Sequence, residues 1–581
     1  MILRKIFIAL SILSVGYVVA EELPPNSVKQ TIDFRASKGV FTYYNGKDIP
    51  DEYAQEILNV DLTRNGGSLS PRGGWNNIAN LADHGDSYSP GALFIFVSST
   101  SHKYLVAKQS DIWRYVDLLT ESPHSFSLNA TNFAADGISA NSNFYLLMQD
   151  SNMVKVGESS AVNGTLWNLT VSTTVRGQMF GRHLDRYLVA GDSAAVLTVY
   201  FSDPDNIEAF PALNTFEITG VKGYDYITGL GEPLLGSLPI YTRNSTRILQ
   251  GTVFPDRETA GNVVVRVVSD NIGCLSHKSI KNLKNNKQYF LSGGQDGQFP
   301  GIYAFNGITV SEKTKGQRSL FKNAIAFATS TPRDQDTRTV TPSAFIYRDK
   351  YCTSFTTSNP FPSGIYNSTV VNVSKLMVCV DENDIVEVYQ HGDLVTFNTG
   401  ANLEELGYFH FDDGDSIDGK TYAIGGDNGG ELSKNARDRI FQLDSGDMDN
   451  ISESGANPFS VNWKYKSKDF AMGDEGRPKS PNRAYLSYQF WPTTFTIKAN
   501  YDFGTSSSTW IINSTTNYRV GGTGFFDNGS IRTVAYSSTT VTSKLVFPQS
   551  KKFKFVNFEI FGTTYSSIYN IDFYATKEPL E

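Results

Sequence analysis

Tyr104-Leu105-Val106-Ala107-Lys108-Gln109-Ser110-Asp111-Ile112-Trp113 decides the fold. An apolar strand core runs into a polar turn and out again into a second apolar run, the pattern of a β-hairpin with one packed face. The core recurs at Tyr145-Leu146-Leu147, Tyr187-Leu188-Val189, Ile240-Tyr241 and Tyr289-Phe290-Leu291, then at Phe345-Ile346-Tyr347, Met377-Val378-Cys379 and Tyr422-Ala423-Ile424. Successive copies stand 32 to 56 residues apart, about 45 on average, a period typical of propeller blades. Polar turns lead onward to further strands, as Asp150-Ser151-Asn152 does into Met153-Val154 and Asp381-Glu382-Asn383 into Ile385-Val386. Each hairpin leaves an apolar face bare until a neighbour covers it, so copies at this period close into a wheel. The chain therefore reads as all-β: a β-propeller of about seven or eight irregular blades over residues 21–450, followed by a C-terminal β-sandwich over 451–581.

Composition supports the class. Aromatic residues make up 13% of the chain and charged residues only 19%, a mixture suited to half-buried pleated surfaces. Forty-nine glycines against 22 prolines imply many tight turns. The formal net charge of −8 gives no electrostatic basis for gripping a polyanion. The repeat stops near Asp444-Ser445-Gly446-Asp447-Met448-Asp449-Asn450, and Ile451 to Asn457 has the composition of a boundary. Beyond it, alternation at Phe495-Thr496-Ile497-Lys498-Ala499 and over Lys552 to Phe558 reads as sandwich strands. Two short helices are predicted, at Asp51 to Leu58 and Asn402 to Leu406.

Residues 1–20 pose a choice. Arg4 and Lys5 precede the apolar run Ile6 to Val19, and Ala20 precedes Glu21-Glu22. That is a secretory-signal pattern, too short for a comfortable membrane span. The alternative is a retained apolar arm that docks on a neighbouring subunit.

The search for chemistry finds little. No GxSxG elbow, HExxH, Walker loop or GxGxxG fingerprint occurs. The seven histidines, His84, His102, His124, His183, His277, His391 and His410, are scattered and read as structural hydrogen-bonding groups. Asp412, Asp413, Asp415 and Asp418, broken by Gly414 and Gly419, read as a solvated turn; Ca²⁺ ligation and paired-carboxylate glycoside hydrolysis are the alternatives. The same holds for Asp444, Asp447 and Asp449. Cys274, Cys352 and Cys379 read as buried free thiols, with one bridge open to them in an oxidising compartment. No catalytic, cofactor-binding or metal residue is assigned, and no cofactor is implied. The chain reads as a non-enzyme.

A series of motifs runs in order along the chain: Asn59-Val60-Asp61-Leu62, Leu69-Ser70-Pro71-Arg72-Gly73-Gly74-Trp75, Gly181-Arg182-His183-Leu184 and Tyr200-Phe201-Ser202-Asp203-Pro204. They continue through Ile272-Gly273-Cys274, Tyr289-Phe290-Leu291-Ser292, Gly301-Ile302-Tyr303-Ala304-Phe305-Asn306-Gly307 and Arg439-Ile440-Phe441-Gln442-Leu443 to Trp463-Lys464-Tyr465. This order resembles the β-propeller virion proteins of tailed bacteriophages, the group of podophage tail nozzles and tail-hub or stabilisation proteins, over roughly residues 30 to 575. The resemblance implies a structural tail protein in a homo-oligomeric ring, commonly a hexamer. Its partners would be an adaptor or portal-side ring and fibres, and double-stranded DNA would pass without specific binding. Arg72 and Arg182 are expected to brace neighbouring loops with forked hydrogen bonds. Location in the virion follows; the alternative is a secreted propeller and sandwich module that binds surface glycan or protein. An export signal would be out of place in a virion protein, so the choice at Ile6 to Val19 bears directly on this.

Overall fold

The computed structural model describes residues 26–579, apart from 43–45, 65–66, 84–91, 99, 110–111, 120–121, 127–133, 149–150, 159–165, 172–173, 220–224, 256–260, 295–297, 323–341, 367–368, 391–407, 429–436, 446–447, 450–458, 490–493, 513–539, 548–550 and 564–565. The segment 1–20, the helix expected at 402–406, His84, His391, Asp447 and the boundary stretch 451–457 lie outside the described residues, as do the side chains of His410, Asp412 and Asp449.

Six antiparallel four-stranded sheets follow one another along the chain, each built strand beside strand in sequence order. Blade 1 begins at Ala92–Val97, blade 2 at Ala134–Ala140, blade 3 at Met179–His183, blade 4 at Ile227–Leu230, blade 5 at Lys281–Leu283 and blade 6 at Ala344–Tyr347. Blade 7 comprises Tyr408–Ile417, Lys420–Asn428 and Arg437–Leu443, and takes its fourth strand, Trp75–Asp83, from ahead of blade 1. Leu443 pairs with Trp75 and Arg439 with Asn80. First strands touch from blade to blade, except that blade 4 meets the turn 277–279 entering blade 5, and blade 7 returns to blade 1, so the seven sheets form a closed propeller. Joining the two ends of the array by a ladder of hydrogen bonds leaves no open face in the wheel.

The sequence repeat maps onto second strands in blades 1 to 5 and in blade 7. Tyr104, Leu105 and Val106 are all fully buried, as are Tyr289, Phe290 and Leu291. Blade 6 carries two copies: Phe345 sits on its first strand and Met377 on its third. Its second strand, Lys350–Tyr366, is much longer than those of its neighbours. Eight sequence copies therefore make seven blades.

Two further sheets enclose a shared apolar core. One has four strands, Ser27–Asp33, Ser567–Lys577, Lys479–Gln489 and Thr540–Val546. The other has five: Ala54–Leu58, Trp463–Ser467, Val556–Gly562, Phe495–Tyr501 and Ser506–Ile512. Phe558 of the five-stranded sheet meets Phe573 of the other with ring centres 5.2 Å apart, and Phe495 meets Tyr488 at 5.7 Å. Strict alternation of buried and half-buried residues along Trp463–Ser467 marks the inner and outer faces. Two of these strands, Ser27–Asp33 and Ala54–Leu58, precede the propeller, so residues from both ends of the chain build these sheets.

The stretch expected to be helical at Asp51 to Leu58 is corrected: Ala54–Leu58 is a strand paired with Trp463–Ser467. Its cross-strand partners decide this, because Lys464 and Lys466 both reach Glu56, a pairing that a solitary helical turn would forgo. Lys552 to Phe558 is also displaced, the strand being Val556–Gly562.

Blades 5 and 6 share a core with the two sheets. Leu69 and Ile57 lie in the same buried apolar cluster as Tyr289, Val378 and Val388 of blades 5 and 6. Gly39 runs parallel to Val386, the first residue of the last strand of blade 6, with φ of +93°. A Cβ there would come within 2.0 Å of the Val386 carbonyl oxygen, so only glycine permits the approach.

Candidate functional site

A ligand of a propeller commonly sits on the axis where first strands converge. Here the chain fills that place itself. The loop entering blade 5 carries the short 3-10 turn His277–Ser279. His277 Nε2 lies 2.9 Å from Asp136 Oδ2 of blade 2, and its Nδ1 accepts the Leu230 N–H of blade 4 at 3.2 Å. Asp136 Oδ2 also accepts the Phe180 N–H of blade 3 at 2.7 Å. Lys278 Nζ donates to Asp413 Oδ2 of blade 7 at 2.7 Å and lies 5.2 Å from the centre of the Phe94 ring of blade 1. Asp413 takes two more bonds, from Leu93 N of blade 1 at 3.1 Å and from Ser343 Oγ, just before blade 6, at 2.6 Å. Two consecutive side chains thus tie all seven blades into a hub.

Because Nδ1 of His277 accepts a backbone N–H, the ring proton resides on Nε2 and is donated to Asp136. Both nitrogens are occupied, so the imidazole cannot also take a proton from a nucleophile. Burial alone would raise the Asp413 carboxyl, but Lys278 and Lys281 outweigh it and hold the group below its ordinary value.

These positions correct the turn reading of 412–418. Asp413 and Asp415 lie within the strand Tyr408–Ile417, and only Asp418, with φ of +53°, occupies the turn with Gly419. Burial raises the Asp415 carboxyl while Lys281 opposes it. Asp418 pairs with Lys103 of blade 1. Among the described residues, no group of three or more His, Cys, Asp or Glu is placed to hold a metal ion. The other described histidines are separate. His102 Nδ1 faces Asp117 at 3.0 Å, His124 stacks on Tyr115, and His183 donates from Nε2 to the Gly251 carbonyl at 3.2 Å.

A second charged cluster fixes the segment that precedes the ring-closing strand. Lys350 Nζ donates to Asp61 Oδ1 at 2.8 Å and also bonds Glu387, which in turn accepts from the Tyr389 hydroxyl. Arg348 binds Asp61 at 2.7 Å and Asp444 at 3.4 Å. Asp61, Lys350 and Glu387 are fully buried. Burial would raise the Asp61 carboxyl, yet Lys350 and Arg348 hold it well below its usual range. Burial prevails at Glu387 and keeps that carboxyl above its ordinary value. Arg72 donates to Gly73 O at 2.8 Å and Asn59 Oδ1 at 3.3 Å, and stacks on Trp75 at 3.6 Å, so it braces two stretches as expected. Arg182 is more exposed and pairs with Asp205 of its own blade at 3.3 Å.

The free-thiol reading is corrected at two of the three cysteines. Cys352 and Cys379 face each other across neighbouring strands of blade 6, with Cα atoms 4.1 Å apart, and form a disulfide. Cys274 is buried and free.

One end of the propeller carries an unusual surface. In an antiparallel blade, the turns joining strands 1 to 2 and 3 to 4 share an end. Leu119 of blade 1, Leu213 of blade 3, Leu235 of blade 4 and Ile308 of blade 5 all sit in such turns, exposed at 77%, 72%, 73% and 73%. Leu184 and Val253 are exposed in turns of the same type. Leu235 lies against Gly307, next to Ile308, and His183 beside Leu184 reaches the loop holding Val253. Blades 3 to 5 therefore present neighbouring apolar tips, whereas blades 6 and 7 present Arg348, Asp349 and Asp418. The sequence reading missed both the hub and this end. A leucine at a turn tip with φ of +57° (Leu184) or +50° (Leu235) was the available signal, since turn chemistry there favours Gly or Asn.

No protein-family model and no curated protein matches the chain. Among solved structures, a streptogramin B lyase is similar at 11% identity over 63% of this chain and 97% of that one, with a TM-score of 0.36. A virginiamycin B lyase from Staphylococcus aureus is 9% identical over 63% and 98%, with a TM-score of 0.35. The WD40 repeats of RRP9 are 9% identical over 64% and 99%, also at 0.35.

Proposed function

We propose that this chain is a non-catalytic structural component of a bacteriophage tail, a nozzle or hub subunit that joins a ring around the genome-exit channel. The observation that carries the reading is the row of exposed leucines and isoleucine at one end of the propeller. A soluble monomer rarely displays neighbouring large apolar tips, and such surfaces mark contact with protein. The axis hub supports the same reading, because the groups that could serve chemistry there are spent on holding blades together. Net charge of −8 suits a wall past which DNA slides, since each phosphate contact would add salt-dependent adhesion. The resemblance in motif order supplies the tail context.

The test is the mass of the purified full chain in solution. Assembly gives a particle whose mass is a multiple of 64.2 kDa, and the triple variant Leu184→Asp, Leu235→Asp, Ile308→Asp returns it to the single-chain mass with its melting temperature unchanged. A native chain that stays at the single-chain mass at every concentration up to its solubility limit contradicts the reading.

The Cys352–Cys379 bridge favours a second reading, an exported propeller and sandwich module that binds surface glycan or protein, because disulfides persist in oxidising compartments.

A further inference from the structure

The outer face of the five-stranded sheet is polar and yet largely buried. Asn500, Asn557, Glu559 and Glu56 of that face, with Asp469 just beyond the strand Trp463–Ser467, are each less than one-tenth exposed. They form a continuous relay. Gln55 Nε2 donates to Asp469 Oδ2 at 3.0 Å, Asn557 Nδ2 to Asp469 Oδ1 at 2.6 Å, and Asn500 Nδ2 to Asn557 Oδ1 at 3.0 Å. Lys464 closes the far end between Glu56 and Glu559, at 2.8 Å from each. Burial would raise the Glu559 carboxyl, but Lys464 and the hydrogen bonds outweigh it and hold it low. Linked side chains of this kind are fixed in place before any ligand arrives.

This floor lies beneath a cleft of about 530 Å³, walled by Gly46, Lys47, Lys466, Lys498, Phe503 and Gly504 among others. The size falls within the usual range of small-molecule sites, about 300–1,000 Å³. Three ammonium groups line it against one carboxylate, Asp469. Lys466 also reaches Glu56 at 3.5 Å and Lys47 reaches Asp48 at 4.0 Å, but the lining itself carries more cations than anions in a chain whose net charge is −8. One wall is aromatic: Phe503 is 61% exposed and its ring centre lies 5.0 Å from that of Phe555. The backbone of Phe503 is left-handed, φ +61°, and the preceding Asp502 holds the turn by accepting the N–H groups of Lys554 and Phe555.

From this arrangement we infer that the cleft binds an acidic oligosaccharide. Side-chain amides match vicinal hydroxyls, which both donate and accept. An exposed aromatic face covers the C–H face of a pyranose. Lys47, Lys466 and Lys498 would meet a sugar carboxylate. The inference does not rest on the assembly reading, since the cleft and the apolar tips lie on different parts of the molecule and either can fail alone.

The test is calorimetric titration of the full chain with three acidic probes (oligogalacturonate, oligomannuronate and sialyllactose), with maltotetraose and decathymidylate as comparisons. At least one acidic sugar binds, and maltotetraose binds it tenfold or more weakly. Lys498→Ala and Phe503→Gly each weaken that binding at least tenfold while the melting temperature holds; glycine keeps the left-handed turn. Binding by none of the three acidic sugars overturns the inference. So does binding that both variants leave unchanged, or decathymidylate binding as tightly as the best sugar, which would make the cleft a nucleic-acid contact.

Discussion

Asp413 joins four parts of the ring with one carboxylate, accepting from Leu93, Lys278 and Ser343 while standing on blade 7. Its folded-state carboxyl is depressed, so its contribution is fully present above the ordinary carboxylate value, about 4, and is lost as pH falls through the folded value. Asp413→Asn should therefore cost about 3 kcal/mol at pH 7, where it leaves the half-buried Lys278 without its counter-charge. The difference between variant and native should shrink as pH drops below about 4. Urea unfolding at a series of pH values measures it, and a pH-independent difference would refute the assignment. Lys350→Met should cost about 3–5 kcal/mol, because Asp61 and Glu387 remain buried and facing; replacing all three by Asn, Met and Gln should recover most of it. Neither role was legible in the sequence. The spacing of Asp412 to Asp418 has the hydrophilic look of a turn, and Lys278, which makes Asp413 a buried anchor, lies 135 positions away.

Trp75–Asp83 is the element on which closure depends. It supplies the outer strand of blade 7 from ahead of blade 1, and Trp75 is fully buried under Arg72. Trp75→Ala should cost about 3–5 kcal/mol and should speed amide exchange along Arg437–Leu443 before it does so in blades 2 to 4, as hydrogen-exchange mass spectrometry would detect. Uniform acceleration across all blades would contradict a local closing role. The Cys352–Cys379 bridge spans 27 positions, for which chain-entropy arguments give about 3 kcal/mol. A reductant should lower the melting temperature of the native chain but not that of a Cys352→Ser, Cys379→Ser variant. The second strands of blades 1 to 5 and 7 were legible because a short continuous apolar run with a repeated aromatic-aliphatic core is a local property; they are buried on both faces. The closing strand was not, since nothing in Trp75–Asp83 names a partner more than 350 positions downstream. Asp51 to Leu58 misled for a related reason: its helical spacing is genuine, but Lys464 and Lys466 arrive from the far end of the chain.

At the scale of the molecule, blades 5 and 6 share an apolar core with the two facing sheets, and strands from before and after the propeller meet in those sheets. The propeller was legible as a class because its repeat is periodic; the proposed tail role draws on the order of motifs, and the apolar tips were not legible, since surfaces formed by separate turns have no signature in one dimension. The most direct measurement is peptide mass spectrometry of DNA-filled particles banded in a density gradient, against the exported fraction of the same culture. Peptides from this chain, including those N-terminal to Glu21, should band with the particles. Their confinement to the exported fraction, in a mature chain that starts at Glu21, would contradict a tail role.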